Sequence, residues 1–160
     1  MPQFVLAHRT QAGAKPKAET LTFTSERITL SRGEAEILSL ALDLSALTLN
    51  FTAQPGLLHY FRLADATLLP LPPEYAPARH KLAPGQRHLP PLRFSAGDTY
   101  IAVSPGVAQL ADSPALARFL HLRDYFNAEK LCAALLAHLE ELAAGQPFPE
   151  DVTALVVEAR

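Results

Sequence analysis

Two stretches, FSAGDTYIAVSPGV (94–107) and EDVTALVV (150–157), decide how this chain folds. In the first, Ala96-Gly97-Asp98 turns the chain into a β-rich run, Thr99 to Val103. Ser104-Pro105-Gly106 then ends that run in another turn. In the second, Val152 to Glu158 reads as a final strand. Between them the period changes to that of helices. Ser113-Pro114 has the form of an N-cap followed by a proline at the first helical position, and Leu116, Phe119, Leu120 and Leu122 mark a short apolar face. A second helix begins at Asn127. Its Leu131, Leu135, Leu139 and Leu142 share one stripe, and Gly145 stands just past its end. A late helix followed by a last strand predicts a sheet covered by helix.

Upstream, strands dominate. Phe4 to Arg9 is short and apolar. Leu21 and Phe23, then Ile28 and Leu30, alternate with polar residues around Ser25-Glu26 and predict a hairpin. Leu38, Leu40, Leu42 and Leu44 alternate with small or polar residues. So do Leu47, Leu49 and Phe51, which predicts an antiparallel pair with one buried face. Leu57, His59, Phe61 and Leu63 continue the pattern, turning at Ala64-Asp65-Ala66 to return through Thr67 to Leu69. The fold class expected is α+β: antiparallel sheets in a sandwich-like arrangement, with C-terminal helices on one face.

Composition sets the bounds. The chain has 160 residues, 49% of them hydrophobic, enough for one domain (1–160) with a sizeable core. The net charge of −2 offers no general field for nucleic acid. Cys132 is the only cysteine, so an internal disulfide is excluded, and its apolar neighbours fit a buried thiol. No apolar run approaches the length of a membrane span, and the N-terminal residues lack a signal-peptide layout. A cytoplasmic protein is expected, and the abundance of Ala, Leu and Pro suggests a GC-rich bacterial genome. Seven of the fourteen prolines fall in residues 70–91, which predicts a long irregular segment through residue 93. That segment is locally basic: Arg79, Lys81, Arg87 and Arg93 stand against Glu74 alone. These four residues are the expected surface for a protein partner, an acidic or phosphorylated segment. Sparse aromatics there count against single-stranded nucleic acid.

Four pieces, in order, resemble the PPM family of metal-dependent serine/threonine phosphatases, the protein phosphatase 2C fold. The run from Thr10 through Gly13, Lys15 and Pro16 to Glu19-Thr20 resembles the opening T-D-x-G-x-R-P-x-N-E-D. Leu47 to Arg62 is similar to the strand pair around A-x-x-G-D-S-R-x-Y-x-x-R. The run 94–107 resembles L-x-x-G-D-x-L-L-L-x-S-D-G-V, and 150–157 resembles the closing D-D-x-T-x-x-V-V. The family places a D-G-x-G-G-H turn and two long helices between its first strands and the middle pair. Here only Arg32-Gly33-Glu34-Ala35-Glu36 separates the strands, so the resemblance implies a fold shortened by one helical block.

The resemblance also implies a chemistry: two divalent ions held by aspartates, with a metal-activated water attacking the phosphoester. Mn²⁺ or Mg²⁺ needs hard oxygen ligands, and two such ions close together need several converging carboxylates. This sequence lacks most of them. Thr20 replaces the opening aspartate, with Glu19 beside it; the D-G-x-G-G-H aspartate is absent; Pro105 replaces the aspartate of the S-D-G turn. Glu150 and Asp151 keep the closing carboxylates and are the ligands if any metal binds. The relic site implied is Glu19, Ser104, Gly106, Glu150 and Asp151, with Asp98 capping the Gly97 turn. The expectation is no catalytic residue, no metal cofactor and a regulatory or protein-binding pseudophosphatase. Two alternatives stand beside it: a weakly active Mn²⁺- or Mg²⁺-dependent phosphatase, and a structural subunit in which a sheet face bared by the lost helices is covered by a second copy or another chain. No two histidines stand at i, i+4, and no G-x-S-x-G elbow or glycine-rich phosphate loop occurs. His59, in an alternating strand, reads as a packed or cross-strand residue.

Overall fold

The alternation seen along the chain becomes eleven strands in a computed structural model, which describes residues 3–24, 27–53, 58–64, 67–76, 87–121 and 127–160, without the side chain of residue 87. In chain order these are β1 (Phe4–Gln11), β2 (Glu19–Phe23), β3 (Arg27–Arg32), β4 (Ala35–Asp43), β5 (Thr48–Ala53), β6 (His59–Ala64), β7 (Thr67–Leu69), β8 (Arg87–His88), β9 (Leu92–Arg93) and β10 (Asp98–Val103), then helices α1 (Ser113–Leu120) and α2 (Ala128–Leu142), then β11 (Val152–Ala159). They form two antiparallel sheets. The first has the order β1-β11-β10-β6-β7 and the second β2-β3-β4-β5-β8, with β9 also paired to β5.

The sheets and helices make three layers with two cores, and β11 belongs to both. Its Leu155, Val157 and Ala159 join Leu38, Leu40, Phe51 and Tyr100 between the sheets. Its Val152, Ala154 and Val156 join Leu131, Leu135 and Leu139 of α2 beneath the first sheet. A strand covered on both faces has no polar alternation, which is why 152–157 reads as an apolar run broken only by Thr153. Each fully buried Leu or Val side chain contributes about 1.5–3 kcal/mol.

Two sequence expectations are refined and a third holds. Asp112, not Ser113, caps α1: its Oδ1 accepts from Ala115 N at 2.9 Å. Pro114 is still tolerated, because the first-turn N–H groups have no intrahelical partner. The proline segment is not wholly irregular: beside a 3₁₀ turn at Pro73–Tyr75, β8 and β9 pair with β5. Gly145 does follow α2, with φ +82°. The turns at Ser25-Glu26 and Asp65-Ala66, and residues Leu57 and Leu122, lie outside the described residues.

Among the described residues, helices pack only on the first sheet, so the outer face of the second is bare of helix. That face is not apolar. The register places Thr22, Thr29, Ser39, Thr52 and His88 in one row. Arg27 Nη1 donates to Ser39 Oγ at 2.9 Å, and Thr52 Oγ1 lies 2.9 Å from His88 Nδ1. A face that satisfies its own polar groups has little to gain from being covered. No helix among the described residues is long and apolar enough to cross a membrane.

Candidate functional site

The site forms at one end of the sandwich, where β2, β3 and the approach to β11 meet. The β2–β3 pairing sets Glu19 and Arg32 directly opposite, and just beyond them Gly33 N donates to Ala18 O at 3.1 Å. Glu19's side chain is fully buried. Its Oε1 accepts from Thr153 Oγ1 at 2.9 Å and its Oε2 from Arg32 Nε at 3.0 Å. Arg32 reaches across to the other sheet as well, where Nη2 donates to Glu150 Oε2 at 2.8 Å. Thr10 Oγ1 lies 3.0 Å from Thr153 Oγ1. Thr153 has a single hydroxyl proton and gives it to Glu19, so Thr10 is the donor to Thr153.

Asp151 has a different task. Its Oδ1 accepts from Gly13 N at 3.0 Å, and its Oδ2 accepts from Glu19 N at 3.0 Å and Lys17 N at 3.2 Å. The carboxylate thus organises the 12–19 loop. Burial pushes its pKa up, but these three N–H groups and the nearby Arg32 charge hold it below the ordinary carboxylate value. Burial likewise pulls the Arg32 guanidinium down, and its bonds to Glu150 and Glu19 more than reverse this, leaving it raised.

Backbone packing closes the site further. A Cβ on Gly13 would lie 2.3 Å from the Glu150 carbonyl carbon, and one on Gly106 would lie 2.1 Å from the Asp151 carbonyl oxygen. Ser104 N donates to Thr153 O at 2.9 Å, and Ser104 Oγ accepts from Thr153 N at 2.8 Å. Ser104 is completely buried, so its hydroxyl prolongs the β10–β11 ladder and is not a nucleophile at a turn.

Glu19, Ser104, Gly106, Glu150 and Asp151 are therefore brought together. Thr20 points away and is exposed. Asp98 lies elsewhere: its Oδ2 accepts from Ser95 N at 2.9 Å and Arg62 Nη2 at 3.1 Å, bracing the Gly97 turn. Of the basic set, Arg79 and Lys81 lie outside the described residues, as does the side chain of Arg87. Arg93 is exposed on β9. The central residue that motif reading missed is Arg32. Its one signal was the hairpin register, which faces it to Glu19.

These residues do not fit a pair of divalent ions. Each of the three carboxylates is already engaged by donors, and a guanidinium stands between Glu19 and Glu150. Among the described residues no group of three or more His, Cys, Asp or Glu is placed to hold a metal ion. The site's chemistry is that of a charge-assisted hydrogen-bond network joining the two sheets.

The two sheets and their covering helices have counterparts among solved structures. The phosphatase domain of the cell fate determinant SpoIIE from Bacillus subtilis is similar over 99% of this chain and 92% of that chain, with TM-score 0.73 and 11% identity. The chain has the PP2C, or PPM, phosphatase fold. The catalytic domain of the serine/threonine phosphatase PstP, from Mycobacterium tuberculosis, matches this PP2C-like chain with TM-score 0.60 and 14% identity over 99% of both chains, in a structure holding two manganese ions. The PPM phosphatase MsPP from Mycobacterium smegmatis, in complex with cacodylate, gives TM-score 0.60 and 10% identity over 96% of this chain and 97% of that chain. Identities this low establish a shared PP2C fold and carry no activity with them. No family model matches the chain, and no curated protein matches it in sequence.

Proposed function

We propose that this chain is a pseudophosphatase: a PP2C-fold domain that binds or regulates a protein partner and does not hydrolyse phosphoesters. One observation carries the reading. Arg32 donates to Glu19 at 3.0 Å and to Glu150 at 2.8 Å, so a fixed organic cation lies between the carboxylates that remain in the relic site. A guanidinium neutralises buried carboxylates as a metal ion does, but it has no open coordination position and cannot activate a water. The surface proposed for the partner is the basic stretch Arg79, Lys81, Arg87 and Arg93, which suits an acidic or phosphorylated segment.

A Mn²⁺ titration by calorimetry, run beside hydrolysis of a phenyl phosphate ester, tests the first part. Absence of both heat and turnover supports it. Micromolar binding with Mn²⁺-dependent turnover overturns it and leaves a working phosphatase using Glu150 and Asp151. For the second part, immobilised protein is challenged with acidic and phosphorylated peptides. Retention that survives the charge reversal Arg79→Glu/Lys81→Glu/Arg87→Glu removes the basic stretch from the reading.

A further inference from the structure

The edge of the first sheet is only partly covered. β7 pairs with Arg62, Leu63 and Ala64 of β6, and among the described residues the first half of that strand, from His59 to Phe61, has no strand partner on this side. Residues 71–76 cross the gap, and the start of α1 closes it from the other side. Between them is an open cleft of about 300 Å³ whose lining includes Phe61, Leu71, Pro72, Pro73, Pro114 and Ser113. The lining is mainly apolar, and Ser113 brings a hydroxyl to it.

Ser113 Oγ lies 2.6 Å from His59 Nδ1. A serine at the start of a helix ordinarily caps it, with its hydroxyl occupied by a backbone N–H. Here Asp112 makes the cap, which frees Ser113 for the imidazole. His59 is buried, at 6% exposure. Burial lowers its pKa and the charge of Asp112 partly opposes this, so the ring is neutral near pH 7. With its proton on Nε2, the ring presents a lone pair at Nδ1 to the serine O–H.

We infer that Ser113 and His59 form a nucleophile–base dyad opening on this cleft, suited to acyl transfer from small esters with an apolar acyl group. Nδ1 of His59 takes the hydroxyl proton as Ser113 Oγ bonds to the ester carbonyl carbon. The C–O bond to the alcohol then breaks, and the imidazolium returns its proton to the leaving oxygen. A water deprotonated by His59 next attacks the acyl-serine. The carboxylic acid leaves, the proton returns to Ser113 Oγ, and both residues are restored. No metal enters any step, so this dyad is independent of the relic phosphatase site.

The test treats the intact protein with a fluorophosphonate probe and, separately, with p-nitrophenyl acetate and butyrate, all in the presence of a chelator. The expected result is one adduct per chain, mapped to Ser113 by peptide mass spectrometry and absent from Ser113→Ala. Ester turnover should fall to the uncatalysed background in Ser113→Ala, which lacks the nucleophile. His59→Gln removes a buried ring and risks misfolding. The pH profile of the unaltered protein therefore serves as the second measurement: labelling should rise with a midpoint below that of an ordinary histidine. Absence of an adduct, an adduct that persists in Ser113→Ala, or labelling independent of pH between 4 and 7 would overturn the dyad.

Discussion

Glu19 and Arg32 face each other across the β2–β3 ladder, and the guanidinium that closes this pair at 3.0 Å also closes a second, at 2.8 Å, with Glu150 on the other side of the sandwich. One side chain thus ties the second sheet to the segment that enters the first. The carboxylate of Glu19 has no solvent to fall back on, whereas Arg32 and Glu150 are partly wet.

Arg32→Ala leaves that buried carboxylate without its cation. The expected loss is about 2–4 kcal/mol, toward the lower end because Arg32 is itself partly hydrated. Replacing both partners, Glu19→Gln with Arg32→Met, should recover much of it. Urea unfolding of Glu19→Gln, Arg32→Met and their double forms the cycle that checks this, and purely additive losses would show that the pair does not couple.

The same substitution should change the response to metal. With the guanidinium gone, Glu19 and Glu150 offer oxygens to an added cation. Mn²⁺ should then raise the melting temperature of Arg32→Ala and leave that of the parent unmoved, as a ligand that binds only the folded state does. Equal shifts in both proteins would mean that Arg32 does not guard the site.

Asp151→Asn replaces a three-way acceptor by a neutral amide with one carbonyl oxygen. A cost of about 2–3 kcal/mol is expected, in the range for hydrogen bonds to a charged group. The acid limb should change too. Because the folded state lowers the pKa of Asp151, its contribution is complete above the ordinary carboxylate value near ~4 and is lost as the pH falls through the lower, folded value. Chemical denaturation between pH 2 and 6 should show a shallower loss of stability in the variant.

Gly106→Ala and Gly13→Ala should each cost about 1–3 kcal/mol by forcing backbone apart, since the atoms met at 2.1 and 2.3 Å are main-chain atoms that cannot swing aside. Gly33→Ala is the control. Its Cβ meets nothing within 4 Å, so only the positive φ is strained, at about 1 kcal/mol. Equal losses at all three positions would show that close approach is not what matters at Gly13 and Gly106.

Most strands were legible because alternation with one buried face is a strong local signal. The 19–23 and 27–32 hairpin and the pair 35–43 and 48–53 fall where Leu21, Ile28, Leu38 and Leu49 alternate. β8 and β9 were not legible: two residues carry no period, and their pairing comes from the free edge of β5. The cap of α1 was misplaced by one residue because Asp112 and Ser113 are both good caps and proline fits either of the first two positions. Motif likeness led to Glu19, Glu150 and Asp151. It could not reveal what they touch, because Arg32 enters the site through a register and a long side chain, and no spacing along the chain records either.

The double burial of β11 also bears on how the molecule assembles. All eight of its residues pair with β1 on one side and five, Ala154 to Glu158, with β10 on the other, and Phe4 meets Ala159. The β2–β5 meander joins neighbours in sequence and can form early, but the cover over its apolar side is completed only when Leu155, Val157 and Ala159 arrive. The helices likewise find only part of their docking face, Phe61, Leu63, Ile101 and Val103, before Val152, Ala154 and Val156 complete it. Growth of this structure from a nascent chain is therefore expected to end in one late, concerted closure, slowed by its long-range pairings and exposed until that moment to chaperones and to other chains.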